Sequence, residues 1–274
     1  MESVVHAART VLLWTARWFD RARALCVSLS AGTLGFRQLR AGIEDTWSGF
    51  VADESEIASG WDPAEAAIVA RFISAVDRVL VIGCGTGRDL IPLLRMGCEV
   101  VGIDPVPEIV AMARRELEKR QLQSSIVEGY FEDTAVPGRF DVVLFSNHTY
   151  SYIPERSRRV AVLKKAADLL SPRGRILATY LASRAPFRPR MLRAMQAVAR
   201  LTRSDWRPER GDHLEPLDGR PGRFAYEHFF GPGELEHEAA DASLIVLPHR
   251  EHPHARQMLV LTRAPYEEKA QRQS

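Results

Sequence analysis

Four consecutive apolar residues, Val79-Leu80-Val81-Ile82, run directly into three alternating glycines, Gly83, Gly85 and Gly87. No other stretch limits the fold as strongly. Three of the four are β-branched, so the run reads as a strand covered on both faces, as in a parallel sheet. The glycines permit positive φ and let another molecule approach bare backbone. From Asp89 onward the apolar spacing of Leu90, Ile91, Leu93 and Leu94 turns helical. A strand, a glycine loop and a helix start make the corner on which α/β proteins seat nucleotides, because the helix start offers unpaired N–H groups.

Glu99 to Asp104 reads as a second strand that closes on a carboxylate. Asp104 follows Gly83 by about 20 residues, the spacing at which an acid reaches a ribose diol. The glycines fall as Gly-x-Gly-x-Gly, not as the Gly-x-Gly-x-x-Gly of dinucleotide enzymes, which disfavours a nicotinamide-dependent oxidoreductase. Together these elements resemble the first two motifs of the class I S-adenosylmethionine-dependent methyltransferases, and the similarity runs from about Asp62 to Arg263. The resemblance implies an α/β fold. Its Rossmann-like, seven-stranded sheet is mostly parallel, with helices on both faces and an antiparallel last strand. It also implies methyl transfer from S-adenosyl-L-methionine to an oxygen or nitrogen of a small molecule. A non-catalytic S-adenosylmethionine-binding module is the alternative of another class.

The same resemblance assigns residues. Gly83, Cys84, Gly85 and Gly87 would seat the methionine part, and Asp104 with Pro105 the ribose. The loop from Gly129 to Asp133 would bracket adenine. Tyr130 stands where the family often carries Asp, so Glu132 or Asp133 could take the adenine amine, or Tyr130 and Phe131 could clamp the ring by stacking. Phe140 to His148 resembles motif IV and brings Ser146, Asn147 and His148 toward the methyl group. His148 and Tyr152, in the same loop, are the candidate catalytic residues, with His148 as the candidate general base. The competing reading makes His148 a polar loop residue that shapes the pocket. Leu169 to Gly174 resembles the family's turn before its fifth strand, and Tyr226 to Leu235 a late family segment.

The expected acceptor cavity gathers His148, Tyr152, Tyr180 and one of His249, His252 and His254, under a cover formed by residues 182–223. That cover carries ten arginines against five carboxylates. The three late histidines lack a set of Cys or carboxylate partners, so no metal is expected. No Asp/Asn-Pro-Pro-aromatic motif stands at the exit of the fourth strand, which argues against a DNA acceptor. Asp53, Glu54, Glu56 and Trp61 precede the first strand and are lid candidates.

The chain divides on this reading into an N-terminal helical extension, 1–45, and a methyltransferase domain, 46–274. In residues 1–30 an amphipathic helix gathers Val4, Ala8, Val11, Trp14, Trp18, Ala22, Leu25, Cys26 and Leu29 on one face. It could pack on the domain, pair with another subunit or lie on a membrane surface. At 274 residues, 46% hydrophobic and 26% charged, the chain is of globular composition. Its net charge of +2 sets up no strong nucleic-acid field. Three cysteines without metal spacing suit a reducing, cytoplasmic setting, with a peripheral membrane location as the variant that the first helix allows. No apolar run has the length of a membrane span, and Arg9 and Arg17 interrupt anything like a signal-peptide core.

Overall fold

The structure, a computed structural model, describes residues 2–48, 57, 60–61, 63–183, 189–248 and 257–263. Asp53, Glu54, Glu56, His249, His252 and His254 lie outside them.

Among the described residues, nine strands form one sheet. β1 (Arg78–Ile82) pairs in parallel with β2 (Glu99–Asp104) on one side and with β4 (Phe140–Phe145) on the other. β3 (Ser125–Glu128) continues beyond β2, and β5 (Leu170–Ala182) beyond β4, both in parallel. β9 (Gln257–Thr262) runs antiparallel to β5, and the short β8 (Ile245–Leu247) pairs with β9. These seven strands match the expected sheet.

Two further strands were not expected. β6 (Asp212–Pro216) and β7 (Phe224–Phe230) form an antiparallel hairpin. β7 joins the sheet through Leu181 and Ala182, the far end of β5. β5 is long because the stretch read as a turn, Leu169 to Gly174, belongs mostly to the strand. Its ladder to β4 shifts register between Phe140 and Val142. Gly174 permits that shift: a Cβ there would stand 2.9 Å from the Phe140 carbonyl oxygen.

The central strands are apolar on both faces because helices cover both. Val79, Leu80 and Val81 have no exposed surface, and each such burial contributes ~1.5–3 kcal/mol relative to exposure. α3 (Pro63–Phe72), α4 (Leu90–Met96) and α5 (Pro107–Lys119) lie in chain order between the N-terminal segment and β3. On α5 the residues with helical apolar spacing, Ile109, Val110, Met112, Ala113 and Leu117, are all buried. Pro107 opens the helix and Lys119 lies in its last turn, where their backbone and charge preferences favour them. On α3 Glu65 and Val69 take buried positions while Ala67 is exposed. α6 (Arg156–Asp168) and α8 (Glu234–Asp241) pack together on the other side of the chain's core.

At the N-terminus, α1 (Glu2–Ala31) and α2 (Phe36–Ser48) are joined by a tight turn. α2 spans position 45, so a boundary drawn there runs through a helix. α1, α2, α7 (Pro189–Leu201) and the β6–β7 hairpin enclose a separate small core of Ala31, Leu34, Leu39, Ile43, Trp206, Leu214 and Tyr226. α2 lies so close to β7 that a Cβ on Gly42 would stand 2.0 Å from the Phe224 carbonyl oxygen.

A buried ionic knot ties this appendage to the sheet. The Arg159 guanidinium, with no exposed surface, donates to Glu238 at 2.7 and 3.0 Å and to Glu209 at 2.7 Å. Tyr150 donates to Glu238 at 2.8 Å. His228, also fully buried, sets Nδ1 2.9 Å from Asp212 and Nε2 3.2 Å from Glu234. Glu209, Asp212 and His228 converge closely enough to ligate a metal, but Arg159 already binds Glu209 and Tyr226 already donates to Asp212.

Removing one partner of such a pair is costly because a charge is left buried alone. Arg159→Met should therefore destabilise the fold by ~3–5 kcal/mol, read from denaturant unfolding. The knot also fixes a pH dependence. Burial opposes the charge on His228, yet its hydrogen bonds to Asp212 and Glu234 outweigh this and hold its pKa above the ordinary 6.5. The stabilisation is then complete below 6.5 and lost as pH rises through the raised value. Melting temperature should fall as pH rises above 6.5, and His228→Gln should flatten that fall.

Candidate functional site

The carboxyl ends of β1, β2 and β4 open on one cavity, the position where open α/β sheets bind ligands. Its floor is the glycine loop. Gly83, Gly85 and Gly87 have φ of +67°, +54° and +103°, values that side chains rarely adopt. A Cβ on Gly83 would collide with Thr149, 2.1 Å from its Oγ1, so this glycine serves close packing against the β4 exit. A Cβ on Gly85 would meet no atom within 4 Å, and Gly85 lines the cavity. The bare backbone there leaves room for a bound molecule.

Asp104, at the end of β2, fastens this loop. Its Oδ2 accepts the Gly85 N–H at 3.0 Å and its Oδ1 the Val106 N–H at 3.0 Å. The group is only 7% exposed. Burial pushes its pKa up to about 6, against the opposing pull of those two N–H bonds. Cys84 also lines the cavity, and burial together with the Asp104 charge pushes its thiol well above the usual range. It is a neutral packing group rather than a nucleophile.

One wall comes from the loop after β3. Lys165 on α6 fixes that loop by donating to three carbonyls, Phe131 at 2.5 Å, Thr134 at 2.9 Å and Glu132 at 3.2 Å. Gly129, Tyr130, Phe131 and Glu132 line the cavity. The opposite cover is α2, through Arg40, Ile43 and Trp47. Arg40 pairs with Glu132 at 2.6 Å and Asp133 at 2.5 Å, and its guanidinium lies 3.9 Å from the centroid of the Tyr130 ring. Tyr130 donates to Glu44 at 2.9 Å. Helix and loop are thus clasped across the mouth.

The third wall is the exit of β4. Asn147 and His148 both have positive φ, +41° and +63°, and the Thr179 hydroxyl accepts the His148 N–H at 2.7 Å. This bend places Ser146, Asn147, Thr149 and Tyr152 on the cavity. Tyr152, in the 3-10 turn Thr149–Tyr152, meets Trp47 edge to face, ring centres 5.4 Å apart. Ser146 also bonds the buried Asp89, whose other oxygen accepts the Trp61 indole N–H at 2.6 Å.

Of the residues expected at the site, Gly83, Cys84, Gly85, Asp104, Pro105, Tyr130, Phe131, Ser146, Asn147 and Tyr152 line the cavity together. Gly87 and His148 are not among the lining residues. Trp61, held at the start of α4 by its bond to Asp89, is not among the lining residues, and Tyr180 packs edge to face on Phe230 at 5.6 Å. No residue of 182–223 lines the cavity among the described residues. That segment instead braces α2, with Arg220 and Arg223 both paired to Asp45. Arg40 and Ile43 were not expected at the site, whereas Trp47 was open as a buried or lid aromatic and proves to be part of the cover. Their signal was the short amphipathic pattern of α2, which resembles any surface helix.

Comparison with known proteins agrees with this geometry. Residues 79–174 match the family model described as a methyltransferase domain. Over 98 residues the chain is 36% identical to the cypemycin N-terminal methyltransferase of a Streptomyces species, covering 35% of this chain and 38% of that protein. Over 106 residues it is 33% identical to the ubiquinone biosynthesis O-methyltransferase of Azorhizobium caulinodans, covering 38% and 40%. The matched part is thus about two fifths of these relatives' length. Among solved structures, S-adenosylmethionine-bound CalS10, an amino pentose methyltransferase from Micromonospora echinaspora, superposes with a TM-score of 0.52 at 18% identity, covering 75% of this chain and 93% of that one. Residues 79–174 thus resemble a methyltransferase domain, and the fold is the Rossmann-like one of the class I S-adenosylmethionine-dependent methyltransferases.

Proposed function

We propose that the chain transfers a methyl group from S-adenosyl-L-methionine to an oxygen or nitrogen of a small molecule. The observation that carries this is the pairing of a bare Gly85 with a buried Asp104 that already clasps the Gly85 N–H. The matching domain and the relatives' names, which include N- and O-methyltransferases, support it.

The bound sulfonium supplies the electrophilic methyl group. This chain's residues then have to align the acceptor with it, which is the larger part of such catalysis. Gly83, Cys84 and Gly85 seat the methionine part, and Asp104 takes the ribose hydroxyls beside Pro105. Tyr130, Phe131 and Glu132 bracket the adenine, and α2 closes over them through Arg40. Ser146, Asn147, Trp47 and Tyr152 bound the acceptor end. The acceptor itself is the partner in this reading. His148 serves the site through its backbone bend, with Asn147 and Thr149, not its own ring, on the cavity wall.

Calorimetry with S-adenosylhomocysteine tests the seat. Gly85→Val should abolish binding, and Asp104→Ala should weaken it by ~1.5–3 kcal/mol, the range for a hydrogen bond to a charged group. Unchanged affinity in both would refute the placement.

The raised Asp104 pKa adds a second signature. If the ionised carboxylate receives the ribose, affinity should drop roughly tenfold per pH unit below about 6 and level off above it. Asp104→Asn should remove that dependence.

His148→Asn separates the two roles of that residue, because asparagine tolerates the left-handed backbone. A bend residue predicts turnover within about tenfold of the parent, whereas a general base predicts a loss of roughly 10²–10⁴-fold.

A further inference from the structure

α1 is 30 residues long, about 45 Å at 1.5 Å per residue. Among the described residues, its C-terminal part packs on the rest of the chain. Ala31 is buried, Val27 packs on the small core of Met195, Trp206 and Leu214, and a Cβ on Gly32 would stand 2.6 Å from the Met195 carbonyl oxygen. That anchor uses the side of the helix opposite its apolar stripe. The stripe is therefore turned outward: Leu12 is 69% exposed, Trp14 67%, Phe19 62%, Val11 61% and Trp18 55%.

The arc from Trp14 through Trp18 and Val11 to Phe19, Leu12 and Val5 covers roughly half the helix circumference, wider than the two-position seam of a coiled coil. Arg17 and Arg21 border it beside Trp14, and Arg9 and Arg23 border it beside Leu12 and Phe19. The helix carries these four arginines against two carboxylates, Glu2 and Asp20. An apolar half flanked on both edges by arginines, with tryptophans in it, has the chemistry of a helix lying in the headgroup layer of an anionic bilayer. Among the described residues no helix is long and apolar enough to cross a membrane.

We propose that α1 docks the protein on anionic phospholipid surfaces, its Val11–Trp14–Trp18 face sunk among the acyl chains and its arginines on the phosphates. A second copy of the chain would have to cover the same wide arc and bring arginine edges together, which the charge pattern disfavours.

The test is cosedimentation of the full chain with vesicles of two parts phosphatidylcholine to one part phosphatidylglycerol, beside pure phosphatidylcholine, at low and high salt. The expected result is binding to the anionic vesicles that salt weakens, with tryptophan emission shifting to the blue. The double variant Trp14→Ser with Trp18→Ser should partition roughly tenfold less or weaker, as should Arg17→Glu with Arg21→Glu. These side chains lie outside the folded core, so circular dichroism and melting temperature should stay at parental values. No partitioning of the parent, or parental partitioning of the tryptophan variant, would overturn the proposal. So would a dimer that the tryptophan variant converts to monomer, since the occupant would then be a second copy.

Discussion

One carboxylate holds the cavity in shape. Asp104 sits where β2 ends, and its two oxygens accept N–H groups from two different segments, the glycine loop and the start of α5. The β1–β2 pairing, in register from Arg78 with Glu99 to Ile82 with Ile103, brings those segments within reach of it. The loop can obey because Gly85 accepts a positive φ. Burying the group is costly, and its pKa, pushed up to about 6, records the cost. That a poorly solvated acid stands beside bare backbone, with two hydrogen bonds made and lone pairs remaining, is what makes this corner a receptor rather than a turn.

Around that corner the molecule is built in two tiers. The parallel strands and their helices supply the floor. The cover, α2, is not held by the sheet alone. It is clasped to the β3 loop by Arg40 and braced from behind by the β6–β7 hairpin and α7. The ionic knot of Arg159, Glu238, Glu209, Asp212 and His228 fastens that brace to α6 and α8. The arginine-rich segment thus acts as a buttress for the cover. Its charge is spent in part on Asp45 at the end of α2.

The floor was legible in the sequence because its signals are local. A β-branched run, alternating glycines, a strand ending in Asp and the inward set of α5 each lie within a few residues. The seven expected strands form in the sheet, and ten of the twelve expected site residues line one cavity. The knot was not legible, since Arg159 and Glu238 are 79 residues apart and no spacing links them. The β7 strand carried a signal in the alternation of Phe224, Tyr226, His228 and Phe230, all buried. Prolines and arginines upstream obscured its hairpin partner. His148 shows the limit of motif position: the motif fixes the bend, but which side chains of a bend reach a cavity depends on φ at single residues.

A crystal structure of the chain with S-adenosylhomocysteine tests the central claim most directly. The account predicts the ligand in one orientation, its amino-acid end over Gly83 to Gly85, its ribose on Asp104, its adenine beside Tyr130 and its sulfur facing Tyr152 under α2. Density for the ligand outside this cavity, or a ribose that makes no contact with Asp104, would contradict it.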